Sequence, residues 1–309
     1  DIKVAFQYEN ENFFEKEIPK EINYKYMLPL NIINRSLKYR DLKYREKKEN
    51  FFYKILYSVM LSYEKYTIKK NFLEFSKDRE ILIDFKSGDF LKLLNLKKDI
   101  PKICWIHGDI INLHNYSKRK DKLKRLFLGC KKIVCLGNDM KNNIIKEIPE
   151  INDKLEIVYN PLNIEKIRKE AKEIDDLSDE DKKKLNDNYI IMVSRLDLEA
   201  KDYFTLLEAY KIVLKTNLDL KLYILGDGPD KKNIEKEIDK MKLNQNVILL
   251  GKKKNPYPWI KNSQLLVHSS KFEGFGLVLV EALILNKVIV TTNCPVGPSE
   301  ICNNGKYGV

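Results

Sequence analysis

The sequence predicts an α/β protein whose parallel sheets are covered by helices. Continuous apolar runs, such as KICWI at 102–106 and YIIMVSRL at 189–196, are typical of parallel strands buried on both faces. Segments with helical periodicity, such as 204–215, alternate with these strands, and this order requires right-handed strand–helix–strand units. The length of 309 residues favours two domains of about 150 residues each.

The domain boundary is predicted from a change in composition. Residues 163–188 are rich in charge and poor in apolar positions, so we interpret 166–188 as a helix and linker. The sequence therefore predicts one α/β domain over residues 1–165 and a second over residues 189–309.

In the first domain, a candidate site residue follows one of the predicted strands. The predicted strands are 2–6, 24–28, 81–85, 102–106, 131–137 and 155–162, with helices over 31–78. His107 comes directly after 102–106, and open α/β sheets bind ligands at the carboxyl ends of their strands. A lone histidine is more often a surface or core residue, but the strand end and the neighbouring Gly108 and Asp109 favour a site.

In the second domain, two cations follow the first predicted strand. The predicted strands are 189–196, a segment starting at 220, 246–251, 265–267 and 288–292. Arg195 and Lys201 lie in the loop after 189–196, where a planar guanidinium and a compact ammonium suit a diphosphate. The alternative is that both are solvated loop residues.

The segment HSSKFEGFGLVLVEALILNKVIVTTNCPVGPSE, residues 268–300, has the strongest motif of the chain. Gly274 and Gly276 precede a predicted helix, whose first N–H groups and dipole favour an anion such as phosphate. Glu281 lies in an otherwise apolar helix and must face a cleft or find a partner. The alternative is that Glu281 only caps or ion-pairs within the protein.

The phrase Glu-Gly-Phe-Gly, with Glu281 eight residues after Glu273, closely resembles the Glu-x7-Glu signature of retaining glycosyltransferases of family 4 (glycosyl transferases group 1). Trp-Ile-His-Gly-Asp at 105–109 is similar to another motif of that family, and so is the spacing of Arg195 and Lys201. The resemblance implies a GT-B fold, in which two Rossmann-like domains with parallel sheets face a cleft.

The resemblance also implies a role for each site residue. His107 and Glu273 would be catalytic residues at the transferred sugar, and Glu281 would bind the ribose hydroxyls. The other implied donor-binding residues would contact the diphosphate of the donor: Arg195, Lys201, Gly274, Phe275, Gly276 and Leu277. No metal ion and no cofactor are implied, since the donor is itself a nucleotide-diphosphate sugar of the UDP or GDP type.

The implied activity is transfer of a hexose, with retention of configuration, to a glycan or lipid-linked acceptor in cell-surface polysaccharide synthesis. Two alternatives stay open: a non-catalytic, nucleotide-binding or membrane-associated remnant of the fold, and a GT-B nucleotide-sugar epimerase. The first glycine is Gly88, and the chain stops at Val309. Compared with the family, we therefore expect the first strand–helix unit and the C-terminal elements to be missing.

The distribution of charge along the sequence indicates which binding partners to expect. Residues 1–160 carry 33 of the 57 Lys and Arg residues but only 23 of the 45 Asp and Glu residues. This basic half suits an anionic membrane surface, and 38–57 has the interleaved charge and aromatics of a membrane-apposed helix, although a surface helix explains it equally. We expect a cytoplasmic protein, peripheral at the inner membrane face, that binds no nucleic acid. Trp259 is a candidate for stacking on the nucleobase.

Overall fold

The computed structural model describes residues 2–8, 18–43, 51–111 and 116–309. The chain forms two compact units, of which unit 1 contains Asp1–Asp84 and Asp89–Lys102, and unit 2 contains Phe85–Gly88 and Ile103–Val309. The predicted domain boundary at 166–188 lies within unit 2 and stays a prediction. Part of the basic segment 38–57 lies outside the described residues, since 44–50 are not among them.

Unit 1 combines two paired strands with two long helices. Its elements are β1 (Lys3–Tyr8), β2 (Asn23–Leu28), α1 (Leu30–Lys43), α2 (Phe51–Phe75), β3 (Leu82–Asp84) and α3 (Leu91–Leu94). The strands β1 and β2 are parallel, with Lys3 opposite Asn23. Pro29 separates β2 from α1, as expected for a residue that favours extended backbone before it. The side chains of Met27, Phe72 and Leu82 bury one another in a small core.

Unit 2 begins with strands that pair in parallel. Its first elements are β4 (Lys102–Trp105), α4 (Tyr116–Leu128), β5 (Lys132–Cys135), α5 (Asn138–Glu147), a 3-10 helix (Pro149–Lys154), β6 (Leu155–Ile157), α6 (Ile164–Glu170) and α7 (Asp179–Lys184). Ile103 lies opposite Lys132, and Ile133 lies opposite Leu155. The strand predicted at 155–162 was too long: it ends at Ile157, and Pro161 has no N–H to extend the ladder.

The rest of unit 2 consists of a five-stranded parallel sheet and the helices that connect its strands. Its elements are β7 (Tyr189–Val193), α8 (Tyr203–Leu214), β8 (Lys221–Leu225), α9 (Lys231–Lys240), β9 (Val247–Gly251), α10 (Tyr257–Asn262), β10 (Leu265–His268), α11 (Leu277–Ile284), β11 (Val288–Thr291) and α12 (Pro298–Ile301). The strand order is β11-β10-β7-β8-β9. The chain thus adds β8 and β9 on one side of β7, and then adds β10 and β11 on its other side. The carboxyl ends of β7 and β10 therefore form a topological switch point, where such sheets bind ligands.

Both faces of this sheet are covered by helices, because alternate residues of each strand point to opposite faces. Ile190 and Met192 of β7 pack in one apolar cluster with Leu207 of α8. Ile191 packs in a second cluster with Leu279 of α11. Burial on both faces explains why these strands are continuously apolar, and it confirms the predicted α/β class with parallel sheets.

Two further features concern the cysteines and the apolar length of the helices. The five cysteines are all buried: Cys104, Cys130, Cys135, Cys294 and Cys302. Among the residues that the structure describes, no helix combines the length and the apolar character needed to cross a membrane.

Substitution of Leu207 tests the apolar cluster between the five-stranded sheet and α8. Its side chain is fully buried, so Leu207→Ala is expected to lower the free energy of unfolding by about 2–5 kcal/mol. Leu218 is 78% exposed and supplies a matched control, for which Leu218→Ala should change stability by less than about 0.5 kcal/mol. Urea denaturation followed by circular dichroism measures both. Equal losses in the two variants would contradict the assigned core.

Candidate functional site

Two loops meet at the switch point, one after β7 and one after β10. Lys201 and Ser270 form an antiparallel bridge between the loops. The amide of Asp202 donates to the carbonyl of Ser269 at 3.1 Å, and the amide of Lys271 donates to the carbonyl of Ala200 at 2.9 Å. The strands that precede these loops are neighbours in the sheet, so the backbone joins residues that are about 70 positions apart.

The carboxylate of Glu273 is the centre of the site. The Nζ of Lys201 contacts its Oε1 directly, and both side chains are only 12% exposed. The hydroxyl of Ser270 donates to the same oxygen at 2.6 Å, and Nε2 of His268 lies 2.7 Å from it. His268 itself is buried at the carboxyl end of β10. A buried carboxylate is thus matched by a cation and two further polar groups.

The two oxygens of Glu273 differ in their surroundings. Oε1 takes all three contacts, whereas Oε2 accepts no hydrogen bond from the described part of the chain. Burial alone would raise the pKa of Glu273, but the hydrogen bond with His268 and the charge of Lys201 lower this pKa to about 2. Glu273 is therefore an anion at neutral pH, with one oxygen left as an acceptor.

Glu281 is the second carboxylate of the motif, and its partner is a tyrosine. It lies on α11 and is half-buried, and the hydroxyl of Tyr257 donates to its Oε1 at 3.3 Å. Burial raises the pKa of Glu281, although the hydrogen bond from Tyr257 acts in the opposite direction. The requirement that this carboxylate find a polar partner is therefore met within unit 2.

His107 lies at the carboxyl end of β4, as predicted. Its ring centroid is 4.2 Å from that of Phe85, and the ring is stacked parallel to Trp105 at 6.1 Å. Its amide donates to the hydroxyl of Ser87 at 2.9 Å, while its Nε2 is buried without a hydrogen-bond partner in the described residues. Burial lowers the pKa of His107, so the imidazole is neutral at pH 7 and retains an unused polar atom.

The glycine loop approaches His107 through its backbone. A Cβ atom at Gly274 would lie 2.3 Å from the carbonyl oxygen of His107, so this close approach requires glycine. Gly276 has a φ of +94° and is the N-cap of α11, which has no side-chain cap. Phe275 is buried, whereas Leu277, the first residue of α11, is 39% exposed. The structure therefore brings His107, Glu273 and the helix N-terminus together.

Arg195 is not part of this cluster. Its side chain is 70% exposed and lies 3.8 Å from Asp197. The structure thus brings only one of the two predicted cations, Lys201, into contact with Glu273.

The sequence interpretation missed three residues and misplaced one. His268, Ser270 and Tyr257 were given no role, although the strand-end position of His268 was a usable signal. The prediction that Trp259 stacks on a nucleobase was wrong, because its ring is fully buried and packs edge-on against Tyr223 at 6.0 Å. Tyr257, two residues earlier, is the aromatic side chain that reaches the motif.

The polar groups of the site suit an organic ligand that carries phosphate. Lys201 and Glu273 offer a cation and a hydroxyl acceptor at the switch point, and the uncapped start of α11 offers backbone donors just after them. Among the described ranges, no group of three or more His, Cys, Asp or Glu side chains is arranged to hold a metal ion.

The sequence matches a known domain family and several curated relatives. Residues 173–309 match the family described as glycosyl transferases group 1. An uncharacterized glycosyltransferase of Methanocaldococcus jannaschii is 30% identical over 215 residues, which are 68% of this chain and 52% of the relative. The Campylobacter jejuni N-acetylgalactosamine-N,N'-diacetylbacillosaminyl-diphospho-undecaprenol 4-alpha-N-acetylgalactosaminyltransferase is 31% identical, over 63% of this chain and 51% of the relative. The chain spans about half the length of these relatives.

Solved structures share the fold. HepE of Anabaena, crystallised in complex with UDP, superposes with a TM-score of 0.69 and 14% identity, over 99% of this chain and 85% of that chain. TarM superposes with a TM-score of 0.60 and 20% identity, over 75% of this chain and 46% of that chain. These similarities confirm the predicted GT-B fold class. The family match shows that residues 173–309 are a glycosyl transferases group 1 domain.

Proposed function

We propose that this protein is a retaining, metal-independent glycosyltransferase of family 4. It transfers a hexose from a UDP or GDP sugar to a glycan or lipid-linked acceptor in the synthesis of a cell-surface polysaccharide. The observation that carries the proposal is the Glu273 carboxylate, which Lys201, His268 and Ser270 hold through one oxygen at the switch point. The second oxygen and the adjoining glycine loop remain available to a sugar and a phosphate.

The donor lies mainly on the five-stranded sheet of unit 2. Lys201 and Arg195 neutralise the diphosphate, and the backbone N–H groups of residues 274–277 donate to its oxygens. Glu281 accepts hydrogen bonds from the ribose hydroxyls, with Tyr257 fixing its orientation. These donors and cations stabilise the charge that develops on the leaving diphosphate, which is the dominant contribution in such transfers.

The reacting sugar lies between Glu273 and His107. The free Oε2 of Glu273 accepts hydrogen bonds from sugar hydroxyls, because its ionised state is maintained by Lys201 and His268. His107 is neutral and carries an unpartnered Nε2, which suits a hydrogen bond to the sugar or acceptor rather than a charge contact. The carbonyl of His107 already lies against Gly274, so the two catalytic residues share one small site.

The acceptor and the location are inferred from relatives and charge. The name of the Campylobacter relative specifies a diphospho-undecaprenol-linked acceptor, and other relatives include the CapM and AmsD polysaccharide enzymes of Staphylococcus aureus and Erwinia amylovora. A lipid-linked acceptor places the enzyme at the cytoplasmic membrane face, where the basic residues 1–160 favour anionic headgroups.

Donor binding depends on Glu281. We expect Glu281→Ala to weaken binding of the preferred nucleotide, UDP or GDP, by at least about tenfold, or about 1.4 kcal/mol, because the ribose loses its acceptor. Isothermal titration calorimetry measures the affinity, with the exposed Glu208→Ala as the matched control that leaves it unchanged. A lower Tm of the Glu281→Ala variant with unchanged nucleotide affinity would instead assign Glu281 a structural role.

Donor binding also depends on pH through Glu281. Since burial raises the pKa of Glu281, this carboxyl is protonated at a higher pH than an ordinary glutamate and then no longer accepts two hydroxyl donors. Nucleotide affinity should therefore fall as the pH is lowered from about 7 to about 5. Glu273, with a pKa of about 2, stays ionised over this range. The fall should be smaller in Glu281→Gln than in the unmodified protein, and identical pH profiles would contradict this assignment.

Sugar transfer depends on Glu273. We expect Glu273→Gln to lower kcat by about 10²- to 10³-fold while free nucleotide still binds, because the amide removes the anion at the sugar but leaves the diphosphate contacts. Transfer from radiolabelled UDP and GDP sugars to membrane extracts measures this effect. Nucleotide binding by the unmodified protein with no transfer to any acceptor would favour the non-catalytic alternative.

A further inference from the structure

Glu300 lies near the glycine loop, and its hydrogen-bond partners come from a distant part of the sequence. Its Oε1 accepts hydrogen bonds from the amide of Asn138 at 3.0 Å, from Nδ2 of Asn138 at 2.9 Å and from the hydroxyl of Tyr159 at 2.6 Å. Its Oε2 accepts from the amide of Asp139 at 3.2 Å. A carboxylate on α12 therefore receives four hydrogen bonds from residues that are 141 to 162 positions away.

The carboxylate of Glu300 takes the place of a side-chain cap at the start of α5. The N-cap residue of α5 is Gly137, which offers no side chain to the first N–H groups of the helix. The carboxylate of Glu300 satisfies these groups, and a Cβ atom at Gly137 would lie 2.5 Å from its Oε2. Burial acts to raise the pKa of Glu300, but the hydrogen bonds from Asn138, Tyr159 and Asp139 hold it below its ordinary value. The capping anion is therefore charged at neutral pH.

Phe275 contacts both Tyr159 and the start of α12, the helix that carries Glu300. The ring of Tyr159 lies 5.8 Å from that of Phe275. On the other side, α12 begins after Gly297, where a Cβ atom would lie 1.9 Å from the carbonyl oxygen of Phe275. Phe275 is buried between these two contacts, two residues after Glu273. We therefore expect a movement of Glu300 to reach Phe275 through Tyr159 or through α12.

We propose that Glu300 and Tyr159 are positioning residues for the glycine loop, and that their hydrogen bond on the α5 N-terminus fixes Phe275 so that Glu273 and the N–H groups of residues 274–277 meet the donor. This inference rests on the proposed function. A displacement of the loop by a fraction of an ångström misaligns several contacts to the diphosphate at once, and such misplacement is costly even when it arises outside the chemistry.

The test compares Glu300→Ala, Tyr159→Phe and the double variant, with exposed Glu208→Ala as control. Tyr159→Phe keeps the ring on Phe275 and removes only the hydroxyl. Hydrogen exchange should become faster in peptides covering residues 273–279 in Glu300→Ala and in Tyr159→Phe, and stay unchanged in the control. Unchanged exchange in both single variants would overturn the proposal, whether or not the protein binds nucleotide.

Measurements of donor affinity and Tm distinguish a positioning role of Tyr159 and Glu300 from a purely structural one. Nucleotide-sugar affinity should fall about tenfold in Tyr159→Phe at unchanged Tm, and Tyr159→Phe should have little further effect in the Glu300→Ala background. Glu300→Gln, which keeps an acceptor oxygen, should restore part of the affinity. A lower Tm with unaltered affinity would overturn the positioning role. Absence of nucleotide binding by the unmodified protein would contradict the proposed function and leave the exchange result to decide the inference.

Discussion

The site depends on one buried electrostatic interaction, the contact between Lys201 and Glu273. Either charge alone would be costly at 12% exposure, since the surrounding protein cannot solvate it as water does. Together, and with His268 and Ser270 on the same oxygen, they form a matched polar cluster at the end of an apolar sheet. Removing one partner would leave the other unpaired, so the two loops that carry these charges are held in one arrangement.

That arrangement follows from the strand order of the five-stranded sheet. The neighbours β7 and β10 are 70 or so residues apart in the chain, and their following loops leave the sheet at the same edge. Backbone hydrogen bonds between these loops hold Lys201 and Ser270 side by side, in addition to the side-chain contacts. The sheet therefore positions the charges, and the charges in turn determine which oxygen of Glu273 is left for a ligand.

The glycine loop is bounded on two sides. On one side Gly274 lies against the carbonyl of His107, and on the other Phe275 lies between Tyr159 and Gly297. Glycine is needed wherever backbone meets backbone at less than the distance that a Cβ atom allows. The loop is therefore held by contacts from the β4 and β6 strand ends as well as from α12.

The alternation of apolar strands and periodic helices in the sequence determined the α/β class, the parallel sheets and nearly every strand. It did so because burial on both faces demands continuous apolar residues such as those of Tyr189–Val193. The motif spacing predicted Glu273, Glu281 and Lys201 as site residues, and the structure brings Lys201 into contact with Glu273. The sequence could not show that His268 and Ser270 share one oxygen of Glu273, that Trp259 is buried, or that Glu300 caps α5. Only the tertiary structure decided these points, because they depend on which residues distant in sequence the strand order brings within hydrogen-bond distance.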